Sequence, residues 1–206
     1  LCLWSLQLLP GLAGAQAWQP GVLLAGMLLA GLYAAATLSL QSRRRRKQAD
    51  ITLVFWRGAM LSLLALAFSA MVFELLPQLG GHARAPLWLG VLALPGVFLS
   101  VIIGMLYKIM PFLNWLHLQQ QGGTVTTQPN MKQMIPEGAM RGQMRLHFAA
   151  LLLLLAAVIW PALARPAGLV FAASCLWLEW NLIGAARVYA RFRDKIRAAT
   201  AASAST

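Results

Sequence analysis

The densest chemistry in this sequence is the run Tyr107-Lys108-Ile109-Met110-Pro111-Phe112-Leu113-Asn114-Trp115-Leu116-His117. In helical geometry Tyr107, Met110, Asn114 and His117 share one face. Lys108 lies on a neighbouring face, with Trp115 seven residues on. Pro111 interrupts the backbone ladder and leaves carbonyls free to bind something. Thirty residues beyond His117 stands His147, preceded at helical spacing by Met140 and Met144, with Met131 and Met134 upstream. Thioether and imidazole together suit soft Cu(I), and imidazole alone suits haem iron. Each feature also has a plainer reading. Lys108, Trp115 and His117 make an ordinary interfacial belt, and methionines fill gaps on the buried side of an amphipathic helix.

The acidic residues are few, so their places matter. Glu179 falls about twelve residues into an apolar stretch, which predicts a position close to a bilayer midplane. Ala172, Cys175 and Ala186 share its helical face, so that narrow face is expected to pack inside a bundle. A carboxylate there would carry a proton or ligate a cation. The plainer alternative is a carboxyl bonded to a neighbouring helix. Asn181 points elsewhere. Glu74 reads as a solvated helix end or a partner for Arg84 or Arg165, and Arg57 as a residue reaching to phosphate headgroups. Glu137, Arg141 and Arg145 form an ordinary i, i+4, i+8 series. Cys2 and Cys175 lie far apart in apolar segments, which supports neither a disulfide framework nor a thiolate zinc site.

These residues are set in a chain of 206 that is 60% hydrophobic and 11% charged. Soluble domains carry about 25% charged residues. That excludes a disordered chain, a coiled coil and an ordinary cytosolic enzyme domain. Apolar runs of about 20 residues cross a bilayer as helices. The expected fold is an all-α polytopic transmembrane bundle in a single domain. Five complete spans are predicted at about 22–41, 51–76, 87–107, 147–163 and 168–189. Leu1–Leu9 reads as the end of a further, truncated helix. Small residues Gly26, Ala30 and Ala34 recur every four positions and predict a close helix contact in the first span. Loops at 42–50 and 119–145 and a frayed tail at 190–206 complete the expected layout. Pro136 could open a helix running into the fourth span, and Pro161 would kink or end it.

The net charge of +12 could suggest nucleic acid. The basic residues lie between apolar segments, however, so they read as topology signals and not as a nucleic-acid surface. With Arg43–Lys47 placed in the cytoplasm, all of the 17 Lys and Arg residues except Arg84 and Arg165 fall on that side. The aromatic pattern agrees, with Trp18, Trp88 and Trp160 near the outer boundary and Trp56 and Trp115 near the inner one. The expected arrangement is a multi-pass membrane protein with a cytoplasmic C-terminus.

The stretch Gly104-Met-Leu-Tyr-Lys-Ile-Met-Pro-Phe-Leu-Asn-Trp-Leu-His117 resembles a motif of bacterial multi-span proteins grouped with haem–copper oxidase subunit I and NnrS-type haem/copper membrane proteins. The likeness covers about fourteen residues and extends more weakly through Met131–Glu137 to His147. It implies a respiratory or nitric-oxide-linked protein of a bacterial inner membrane that holds haem or copper beside other respiratory subunits. His117 and His147 would then be ligands at one membrane level, with Met140 and Met144 as further metal donors. Tyr107, Lys108 and Asn114 would steady the ligands or hold haem propionates. The oxidases carry several histidines inside their helices. Here His82, His117 and His147 all fall at predicted span ends, so no catalytic residue is carried over and the chain is not expected to turn over alone. The rival reading is a permease with Glu179 as coupling carboxylate and the Pro111 break lining the path. A scaffold that only packs against respiratory subunits is the third.

Overall fold

A computed structural model of the protein describes residues 15–43, 50–122 and 134–204. The predicted truncated helix at Leu1–Leu9, the Arg44–Lys47 run, Met131 and much of the 119–145 loop lie outside the described residues. Helix α1 spans Ala15–Ser42 and α2 spans Ile51–Leu75. Short α3, Pro77–Gly80, turns the chain into α4, Ala85–Val91. A π-helical turn, Leu92–Leu99, then leads without a break into α5, Ser100–Gly122. Helix α6 spans Glu137–Ile159, and a 3-10 turn at Pro161–Leu163 leads to α7, Ala164–Ala204. Strands are absent among the described residues. Among the described residues five helical segments are long and apolar enough to cross a membrane: Gly21–Ser42, Ile51–Leu75, Ala85–Gln121, Glu137–Ile159 and Pro161–Ala201. The all-α, multi-pass architecture is therefore as expected.

The element ends follow from proline chemistry. A residue before proline is pushed out of the helical region. Leu76 before Pro77 adopts φ −120°, ψ 81°, and Trp160 before Pro161 adopts φ −115°, ψ 95°. Both helices stop there. Pro111 acts differently. It sits inside α5 and the helix continues through it, losing only the bond to the Tyr107 carbonyl. The helix that carries the third span therefore does not stop near Tyr107. Likewise α7 continues as helix to Ala204, where a frayed tail was expected.

Helix α1 packs on α2, α2 on the π turn and α5, and α7 on both α6 and α5. Ala34 is fully buried against Ala59 and Met60. Gly26 faces open space, so only the inner part of the predicted small-residue face is used. Ile51, the first residue of α2, packs in one cluster with Phe55, Ile103, Tyr107, Ile135 and Ala185. The α1–α2 hairpin thus ends level with Tyr107. At 1.5 Å per residue, α5 runs about 22 Å and α7 about 28 Å beyond that level. This extension has its own core of Leu118, Met134 and Ile196, flanked by Trp115, Val188, Tyr189 and Phe192. The bundle therefore consists of membrane-length helices from which α5 and α7 project as a basic stalk.

Candidate functional site: a buried polar seam and its histidine

Three helices each bring a short polar stripe to one seam. On α5, Ser100 and Tyr107 lie seven residues apart. On α6, Gln143 and His147 lie four apart, and on α7 Ser174 and Asn181 lie seven apart. These spacings return to the same helical face. All six residues are buried. Groups excluded from water in this way need partners from neighbouring helices.

Most of them have such partners. The Asn181 amide donates to the Tyr107 hydroxyl at 2.9 Å. Tyr107 in turn donates to Gln143 Oε1 at 3.2 Å. The Gln143 amide donates to Ser174 Oγ at 3.3 Å and approaches the Ser174 carbonyl at 3.4 Å. This directed chain clamps α5, α6 and α7 together. The Tyr107 hydroxyl is its centre, since it both accepts and donates.

His147, one turn along α6 from Gln143, is bound differently. Its Nε2 lies 2.9 Å from Ser100 Oγ. Its Nδ1 is buried and has no partner among the described residues. Aromatic rings wall it in, with the Phe55 centroid at 5.7 Å and the Phe148 centroid at 5.4 Å. Phe148 can stand there because position 58 is glycine. A Cβ at Gly58 would overlap the Phe148 ring. Met140 and Met144, both half-buried, pack against the cluster that contains Phe55 and Tyr107.

His117 is not part of this seam. It lies seventeen residues along α5 from Ser100, about 25 Å at the helical rise. His147 stands on the membrane side of the hairpin end and His117 on the stalk. The expectation that the two histidines stand at one membrane level is therefore corrected: a continuous α5 keeps them apart. His117 is exposed and stacks on Tyr189, with Nδ1 2.7 Å from the Tyr189 hydroxyl and Nε2 3.0 Å from Gln121 Nε2. A neutral imidazole has one donor and one acceptor nitrogen. With partners at both, His117 could ligate a metal only by giving one up. Lys108 is exposed, outside the seam. Asn114 is half-buried, and its Nδ2 lacks a partner among the described residues.

Glu179 also stands elsewhere than expected. It is exposed, and so are Ala172, Cys175 and Ala186 on its face. The face of α7 that enters the bundle carries Ser174, Asn181 and Ala185 instead. Asn181 meets Tyr107, which is level with the hairpin end. Glu179, two residues away, therefore sits within about one turn of that end and not at the midplane. Its apolar surroundings in the sequence misplace it because α7 is longer than one membrane crossing.

Among the described residues no three His, Cys, Asp or Glu side chains gather as a metal cluster. The seam must therefore be judged on His147 alone. The Phe55 and Phe148 rings stand together on one side of this imidazole, their own centroids 5.6 Å apart. The orphan Nδ1 supplies one donor, and Met144, one turn back on α6, is of the right type for a second. Sequence reasoning reached Tyr107 and His147. It missed Ser100, Gln143 and Ser174, and turned Asn181 away from the bundle. The available signal was a polar residue every fourth or seventh position in three otherwise apolar helices. Searches of family models, curated proteins and solved structures match nothing to this chain, so the likeness carried by residues 104–117 rests on those residues alone.

Proposed function

We propose that this multi-pass membrane protein handles copper in respiration or nitric-oxide metabolism, holding the ion and not turning over substrate by itself. The observation that carries this reading is the buried, unpartnered Nδ1 of His147. An unsatisfied buried polar atom costs about 1–3 kcal/mol, and a bound Cu(I) would remove that penalty. His147 would be the nitrogen donor and Met144 the sulfur donor. Met140 and the Phe55–Phe148 walls would keep water out, and the soft ion would supply electron-transfer or delivery chemistry. In this reading the basic stalk faces the cytoplasm of a bacterial cell, and the partners are respiratory membrane subunits. The test is metal analysis of protein purified after copper supplementation. About one copper per chain is expected in the wild type and almost none in His147→Gln or Met144→Leu. A haem absorbance band instead of copper would replace the ion in this reading, and the absence of both overturns it.

A permease is the second reading, favoured by the unpartnered Asn114 amide below the polar face of Ser100 and Tyr107. Here Glu179 would act from the rim of the bundle as the coupling carboxylate. Uptake into proteoliposomes that persists unchanged in Glu179→Gln would remove Glu179 from that role.

A further inference from the structure

The π turn is the least regular part of the bundle, and it abuts the unpartnered histidine. A serine inside an α-helix ordinarily bonds the carbonyl four residues back. Ser100 reaches one residue further, and its hydroxyl donates to the Pro95 carbonyl at 3.1 Å. The wider register of Leu92–Leu99 makes this possible. A proline inside a helix removes one ladder bond and clashes with the carbonyl four residues back, and Pro95 lies within this wider turn. Gly96 then lets the turn lie close against α2, where a Cβ would come within 3.0 Å of Ser62.

The consequence is a question of protons. A serine hydroxyl has one proton to give. Both Ser100 contacts are satisfied at once only if that proton goes to Pro95 and Ser100 Oγ accepts from His147. The 2.9 Å contact is then Nε2–H donating to Ser100 Oγ. A neutral imidazole with its proton on Nε2 has its lone pair on Nδ1, the atom that lacks a partner. We propose that Ser100, held by the Pro95 carbonyl of the π turn, is a positioning residue that fixes His147 in the Nε2–H tautomer and so makes Nδ1 the ligand atom. Histidines that bind metals commonly have the second nitrogen fixed by such a partner, and loss of that partner lowers metal affinity by about 10–100-fold. The copper part of this inference rests on the function proposed above, whereas the tautomer part does not.

The experiment has two measurements on the full chain. The first is nitrogen NMR of the metal-free protein with labelled histidine, with the His147 signals assigned by their loss in His147→Gln. The wild type and Ser100→Thr should show one tautomer with its proton on Nε2. Ser100→Ala should show a mixture of tautomers or the proton on Nδ1. A wild type protonated on Nδ1, or a Ser100→Ala spectrum identical to the wild type, overturns the proposal. The second measurement is Cu(I) affinity by ligand competition. Ser100→Ala should bind about 10–100-fold more weakly, and Ser100→Thr should bind as the wild type does. Equal affinity in Ser100→Ala and wild type also overturns it. If no variant binds copper, the proposed function fails, and the tautomer measurement alone decides the role of Ser100.

Discussion

His147 and His117 are the same side chain in opposite circumstances. His147 lies inside the membrane-length part of the bundle, buried among Phe55, Phe148 and Ser100, with one nitrogen committed and one bare. His117 lies on the stalk, exposed, stacked on Tyr189 and with a partner at each nitrogen. Water can replace any partner His117 loses. Nothing among the described residues replaces a partner for His147, so its second nitrogen stays unpartnered. The difference shows that a histidine's capacity for chemistry depends less on what it touches than on what its surroundings leave unsatisfied.

The sharpest way to break this contrast is to exchange the roles of the two residues. His147→Leu should abolish copper stoichiometry, while His117→Ala should leave it within experimental error. The reverse result in metal analysis would put the ligand on the stalk. The wall around His147 comes next. Gly58→Val should drive a side chain into Phe148 and lower stability by about 1–3 kcal/mol, the usual size for overpacking, as read from unfolding in detergent. A Gly58→Val protein as stable as wild type would mean that the Phe148 ring is free to move aside. The clamp beneath should respond on a similar or smaller scale. Tyr107→Phe removes the hydroxyl between Asn181 and Gln143 and leaves both without that partner, at about 1–3 kcal/mol. Retained stability would show that the two amides find each other or water. The smallest effect should come from the stalk. Tyr189→Phe removes an exposed bond to His117 and should change stability by at most about 0.5–1.5 kcal/mol. A larger loss would make the stalk core as demanding as the seam.

The sequence discloses some of these places more readily than others. Tyr107 and His147 stand out because tyrosine and histidine are rare in apolar helices. Ser100, Gln143 and Ser174 are just as buried but do not stand out, since a single serine or glutamine in a helix is compatible with either face. Glu179 shows the opposite error. It looks internal by its apolar neighbours, but α7 turns that side outward and presents Ser174 and Asn181 to α5 and α6. The π turn at Leu92–Leu99 has no clear herald beyond Pro95. Pro111, also a proline within a helix, leaves α5 running on.

Composition and periodicity by themselves determine that this chain forms long apolar helices separated by basic connections. Those properties depend on each residue's transfer energy and on local backbone sterics, which need no partner. Which face of each helix turns inward, how far α5 and α7 overrun their neighbours, and which histidine is left with a bare nitrogen are decided only when the helices pack. Each of these depends on the relative height and rotation of separate segments, and no local stretch of sequence contains that information.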